Sequence, residues 1–283
     1  MPEPLVLRTP SDMAAASQAA RAQGQRIGLV PTMGALHAGH LSLVDYARPL
    51  CDLLVASIFV NPLQFDRAED LERYPVTWEA DYALCAAHGV DAIYAPTAAA
   101  MYPAGFQSKV RVEGLTAELE GAFRPGHFDG VTTVVLKLFN AVEPHLAVFG
   151  EKDYQQLKVI QRMARDLDLG LEVVGRPTVR EPDGLALSSR NVHLSAQERK
   201  NALCLRRALD RAQELARTGE TDAAAIRAAA LAVVEAAPGA RPDYLEVVDA
   251  QDLTRLTRLD RPARMVMAVW MGKTRLIDND ALN

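Results

Sequence analysis

Residues 53–60 read LLVASIFV, apolar at nearly every position. A strand with one face in water alternates polar and apolar residues, whereas a strand covered on both faces need not. This run therefore predicts an interior strand of a parallel sheet, and such a sheet needs helical crossovers to return the chain. The rest of the amino-terminal part supplies them. Short apolar runs at 27–30, 90–94, 146–149 and 171–174 alternate with helical patterns at 41–47, 78–88, 131–142 and 154–167. An alanine-rich segment, 11–23, precedes them and stops at Gly24, as a glycine-capped helix does. The expected architecture is an α/β, Rossmann-like parallel sheet with ligands in the loops at its carboxyl edge.

The texture changes after about Arg180. Helical patterns at 196–218 and 222–236 are followed by Pro238, Gly239 and Pro242, then by short strands at 244–248, 265–270 and 275–278. This predicts a smaller α+β domain over 181–283 behind a nucleotide- and substrate-binding domain over 1–180. A chain of 283 residues is long enough for two such domains.

Bulk charge narrows the partners. The net charge of -5 disfavours a surface built for nucleic acid or an anionic membrane. Cys51, Cys85 and Cys204 are far apart and form no CxxC, so they read as buried reduced thiols and not as a disulfide framework or a zinc site. Residues 1–10 have no basic patch leading into an apolar run, and 131–142 is short and interrupted by Lys137. The expectation is a cytoplasmic protein.

Four motifs lie where strands end. PTMGALHAGH, 31–40, sits between a strand and a helix, and His37 and His40 are spaced to share one face of a first helical turn. Gly34 and Gly39 permit close backbone approach, and helix-start N–H groups beside two imidazoles suit phosphate. SIFVNPLQF, 57–65, places the neutral amides of Asn61 and Gln64 at the end of the most apolar strand, where they suit a hydroxy acid. Taken alone, a polar turn introduced by Pro62 explains that segment as simply. FGEKDYQQL, 149–157, offers Lys152 to the outer phosphates of ATP and Asp153 to a helix cap, the lysine or a ribose hydroxyl. Gln155 and Gln156 fall on different helix faces. LSSRN, 187–191, combines hydroxyls with a guanidinium and is a weak phosphate signal without the other three. The chain has no GxxxxGK[ST], no GxGxxG and no GxSxG.

Together with FRPGHFDGVTTVVLKLFN and DYLEVVD, these segments resemble the pantothenate synthetase family, within the His-x-Gly-His nucleotidyltransferases, over about residues 26–279. The resemblance implies an ATP-dependent ligase that joins pantoate to β-alanine through an adenylate, working as a homodimer with ATP and Mg²⁺. It implies an ATP site made of Met33, Gly34, Ala35, Leu36, His37, Ala38, Gly39 and His40, with His40 similar to the family's proton donor. Gly150, Glu151, Lys152, Asp153, Val179, Leu187, Ser188, Ser189 and Arg190 match the remaining ATP segments. Gln64 resembles a contact to both substrates, Gln156 a second pantoate contact, and Asn61 a pocket asparagine.

Leu187 stands where the family usually has methionine, and Val76 where it usually has arginine. His40, His37, Lys152 and Arg190 are the expected catalytic donors, with no metal held by protein ligands alone. The rival readings are a nucleotidylyltransferase that releases pyrophosphate but no AMP, an ATP sensor without turnover, and a tRNA-charging enzyme.

Overall fold

The structure, a computed structural model, describes residues 3–66 and 68–282. The chain forms two compact units: Met1–Glu151 with Val159–Pro177, and Lys152–Lys158 with Thr178–Asn283.

The first unit is built on a six-stranded sheet, every pair parallel. Its strands are β1 (Leu5–Leu7), β2 (Ile27–Thr32), β3 (Leu53–Ile58), β4 (Ala92–Tyr94), β5 (Leu146–Gly150) and β6 (Glu172–Arg176), in the order β1-β4-β3-β2-β5-β6. The apolar run is β3, paired on both sides, and Leu54, Val55 and Ala56 are fully buried. Three-residue β1 carries no pattern of its own and forms on the exposed side of β4. β2 continues through Pro31 to Thr32, two residues beyond the apolar run at 27–30. Proline lacks an N–H, and β5 pairs only with Gly28 and Leu29, so no bond to β5 is lost.

The helices of this unit are α1 (Pro10–Ala22), α2 (Ala38–Ala47), α3 (Ala68–Glu72), α4 (Trp78–Ala87), α5 (Ala98–Met101), α6 (Glu120–Phe123), α7 (His127–Val142) and most of α8 (Tyr154–Asp166). α1 starts where Thr9 accepts the Asp12 N–H at 3.1 Å and Pro10 takes the first position. α7 is buried along most of its length and is apolar to match. One core cluster joins Val30, Val44, Leu54, Ile93 and Val148 from α2 and the sheet. Chain order reverses between β2 and β5, which makes their carboxyl ends the switch point of the sheet.

The second unit is an antiparallel sheet, β7 (Ala240–Asp249), β8 (Ala263–Met271) and β9 (Thr274–Ala281), packed with helices α9 (Ala196–Asn201), α10 (Cys204–Arg217) and α11 (Ala223–Glu235). Leu205, Leu209, Ile226, Met265 and Met267 lie at its centre. The helix predicted over 196–218 is two helices. α9 buries no residue and is held by a capping box of Ser195 and Glu198 and by Arg199 against Glu181 and Asp183. α10 docks through Cys204, Leu205, Ala208, Leu209 and Ala212. The anchoring changes from polar to apolar at the break.

No described helix is long and apolar enough to cross a membrane.

Candidate active site

In the first unit the turn between β2 and α2 is set largely by its own residues. Thr32 donates its hydroxyl to the Ser57 carbonyl at 2.7 Å and accepts the Gly34 N–H at 3.2 Å. Gly34 and Ala35 then take left-handed conformations, φ 85° and 50°. His37 is the N-cap of α2. Its Nδ1 accepts the Gly39 N–H at 3.1 Å, and the His37 N–H is received by Nδ1 of His40 at 3.3 Å. An Nδ1 that accepts an N–H carries no proton, so each neutral imidazole is the Nε2–H tautomer. The rings sit 4.1 Å apart, as the spacing predicted. Asp81 on α4 is buried, and its two oxygens accept the Ala35 and Leu36 N–H groups at 2.9 and 2.8 Å. Nothing in the sequence around Asp81 marked it for this role.

Beside β3, Asn61 is buried and fully engaged. Its Nδ2 donates to Gln64 Oε1 at 2.9 Å and to the Gly130 carbonyl at 3.1 Å. Its Oδ1 accepts from the Leu63 N–H at 3.3 Å and from the Tyr102 hydroxyl at 2.7 Å. Asn61 therefore orients Gln64, whose Nε2 points to the Met33 sulfur at 3.3 Å. The Gln64 carbonyl accepts from His127 Nδ1 at 2.8 Å and from Arg124 at 3.1 Å. Arg124 is held in turn against Asp66, 3.3 Å away. α7 comes so close to this turn that a Cβ at Gly130 would sit 2.2 Å from the Leu63 carbonyl oxygen. Burial pushes the Tyr102 phenol up, which keeps it a donor to Asn61. Arg124, His127 and Tyr102 were not singled out from sequence. The first two lie within FRPGHFDG, which served the resemblance but received no role.

In the second unit, Lys152, Ser188, Arg190 and Asp278 line one small pocket. Ser188 caps the short 3₁₀ turn Ser189–His193 by accepting the Arg190 N–H at 3.2 Å, so its hydroxyl proton can still be donated. The Leu187 N–H bonds the Val179 carbonyl at 2.9 Å, which pairs two residues of the expected ATP segments. Asp153 stands 3.8 Å from Lys152. Gln155 is buried and Gln156 half-buried, in keeping with different faces of α8.

Gly150 and Glu151 close β5 in the first unit, whereas Lys152, Asp153 and Gln156 cluster with the second. Val76 is 81% exposed. The thiols are all free. Burial pushes Cys85 up to about 12 and Cys204 to about 11. Among the described residues, no three His, Cys, Asp or Glu side chains gather as a metal cage.

The model of the pantoate-beta-alanine ligase family matches residues 5–281. The chain belongs to that family. A pantothenate synthetase of Moorella thermoacetica is 53% identical over 264 residues, 93% of each chain. The crystal structure of pantothenate synthetase from Thermus thermophilus superposes with a TM-score of 0.93 at 49% identity, covering 98% of this chain and 99% of that one. The pantoate-beta-alanine ligase of Francisella tularensis, solved with β,γ-ATP and β-alanine, gives a TM-score of 0.79 at 32% identity, over 99% and 98% of the two chains. The parallel sheet with a small antiparallel carboxyl-terminal sheet is thus the architecture of pantoate-beta-alanine ligases.

Proposed function

We infer that the chain condenses pantoate with β-alanine in two steps, forming pantothenate, AMP and pyrophosphate. A carboxylate is a poor acyl donor. The pantoate carboxylate therefore attacks the α-phosphorus of ATP, a P–O bond forms, and the bond to the β-phosphate oxygen breaks to release pyrophosphate. The β-alanine amine then attacks the acyl carbonyl, the C–N bond forms, and AMP leaves with the C–O electron pair while the amine gives up a proton. The observation that carries this reading is the paired imidazoles at the start of α2, each with Nδ1 accepting an N–H and so bearing its proton on Nε2. Two such donors beside a helix amino terminus match an anionic transition state at phosphorus.

In this proposal His37, His40, Lys152, Ser188 and Arg190 donate to the triphosphate. Met33–His40, Gly150–Asp153, Val179 and Leu187–Arg190 form the ATP site. Gln64 contacts both acids, Gln156 pantoate, and Asn61 acts by orienting Gln64. Mg²⁺ would arrive with ATP and would supply charge neutralisation on the phosphates, since no three carboxylate, thiol or imidazole groups among the described residues gather to hold it as a protein cage. A cytoplasmic homodimer is the corresponding reading of location and assembly, on the family resemblance.

Single-turnover mixing tests the order of steps. Pyrophosphate should appear with ATP, Mg²⁺ and pantoate alone, at about one per site, and AMP only after β-alanine is added. Pyrophosphate that waits for β-alanine would overturn the adenylate step. Pyrophosphate with no AMP at any stage would favour a nucleotidylyltransferase.

A further inference from the structure

Lys152 sits in a single 3₁₀ turn, Glu151–Asp153, between β5 and α8. One such turn has few hydrogen bonds of its own and does not fix the base of a long lysine stem. The second unit fastens it at three points. Asn279 on β9 donates from Nδ2 to the Lys152 carbonyl at 2.9 Å. The next residue but one, Tyr154, donates its hydroxyl to the Ala250 carbonyl at 2.6 Å. The Arg264 guanidinium lies 3.9 Å from the centroid of the Tyr154 ring.

Asn279 joins these contacts. It is buried, and its Oδ1 accepts from Arg264 Nη1, so one amide grips Lys152 with its donor end and Arg264 with its acceptor end. Its own N–H is held by Asp278 at 2.8 Å, and Asp278 forms two bonds to Arg180, at 2.7 and 3.0 Å. Asp278 also lines the pocket with Lys152, Ser188 and Arg190.

We propose that Asn279 is a positioning residue for Lys152, fixing the backbone from which the ammonium reaches the phosphates. This rests on the reading of Lys152 as a phosphate donor. Only a side chain with one donor and one acceptor end serves both partners. Aspartate keeps the acceptor for Arg264 but sets an oxygen against the Lys152 carbonyl, which has no proton to share.

The test is a cycle in the full-length enzyme: Asn279→Asp, Lys152→Ala and the pair, read by single-turnover pyrophosphate release across ATP concentrations, with the steady-state KM for β-alanine and the melting temperature alongside. Asn279→Asp should lower the second-order constant for ATP about tenfold and leave the KM for β-alanine within about twofold, as loss of orientation at one donor predicts. In the Lys152→Ala background the same change should cost less than about twofold, because its route to the phosphates is gone. An unaltered ATP constant, or a full tenfold loss that persists without the lysine, overturns the proposal. If Lys152→Ala alone adenylates normally, the phosphate reading of the lysine fails, and the positioning role fails with it. Should Asn279→Asp not fold, Arg264→Gln at a half-buried position removes the other end of the clamp and is judged by the same two outcomes.

Discussion

The turn after β2 and the turn after β5 leave adjacent strands of one sheet, yet they are fixed in different ways. The histidine turn is held mostly from within: Thr32 bonds Gly34, and His37 bonds Gly39 and His40, across a few residues, while Ser57 on the neighbouring strand and Asp81 on α4 hold it from outside. The lysine turn is held from far along the chain, by Asn279 at a separation of 127 residues and through Tyr154 by Ala250 at 96. The difference shows how two kinds of loop reach the same precision. A glycine-containing turn on a helix cap is specified by local backbone chemistry, whereas a short turn carrying a long cation needs tertiary clamps.

The largest expected effect tests whether the histidine turn is as self-contained as its bonds suggest. Asp81→Asn keeps the shape but offers one acceptor and one donor to two N–H groups that both need acceptors. Adenylation should fall on the order of a hundredfold, a typical result of misplacing reacting groups by about an ångström. The melting temperature should also drop, because a buried N–H left unpaired costs about 1–3 kcal/mol. If single-turnover rates fall less than in Asn279→Asp, the histidine turn holds its shape without its distant carboxylate, and the contrast with the clamped lysine turn sharpens.

Gly130→Ala sharpens the same contrast at the Asn61–Gln64 turn, which combines local capping with a close helix. The added methyl would meet the Leu63 carbonyl at 2.2 Å and the Gln64 nitrogen at 2.7 Å, so backbone must move. The expected cost is about 1–3 kcal/mol of stability. The KM for pantoate should rise several-fold while the KM for ATP stays near its starting value. Denaturant titration and steady-state kinetics would measure both, and an equal rise in the two KM values would show that the turn is not specific to the acid.

The smallest effect concerns pH. His145, beside β5 in the first unit, accepts the Ile27 N–H on Nδ1 at 3.0 Å. Burial, with Arg21 and Arg26 nearby, holds it below the ordinary histidine value of 6.5. A depressed histidine favours the neutral form in the folded state, so its contribution is complete above 6.5 and fades as pH falls through the folded value. In the second unit Asp183, bonded to Arg199, and Asp252, bonded to Thr254, lie below 3.8, and what they contribute is lost only in stronger acid. Hydrogen exchange at mildly acid pH should therefore loosen the first unit before the second. His145→Gln should flatten that dependence, and unchanged exchange in the variant would assign the acid sensitivity elsewhere.

Much of the fold was legible because burial on both faces leaves a continuous apolar run. That signal located β3, and alternation with helical periods located its neighbours. β1 was not legible, since three residues at a sheet edge carry no period. The division of 196–218 into α9 and α10 was hidden because both halves are good helix formers. Within the site, His37 and His40 were legible as a pair because a helix start fixes their relative placement. Asn61 and Gln64 were visible as polar residues at a strand end, but that Asn61 bonds Gln64, Gly130, Leu63 and Tyr102 was not.

The sequence alone determined which segments form strands and helices, the paired imidazoles at the start of α2, and the order of motifs that places the chain in its family, because each is carried by a pattern within a few residues. Tertiary structure alone decided that Asp81 receives the Ala35 and Leu36 N–H groups, that α7 reaches the Gln64 turn only because residue 130 is glycine, and that Asn279 grips Lys152. Each of those contacts joins residues 45 or more positions apart, or depends on a backbone approach that no local pattern encodes. A carboxylate, a glycine or an amide in isolation has many uses, and only the groups brought within about 3 Å of it select one.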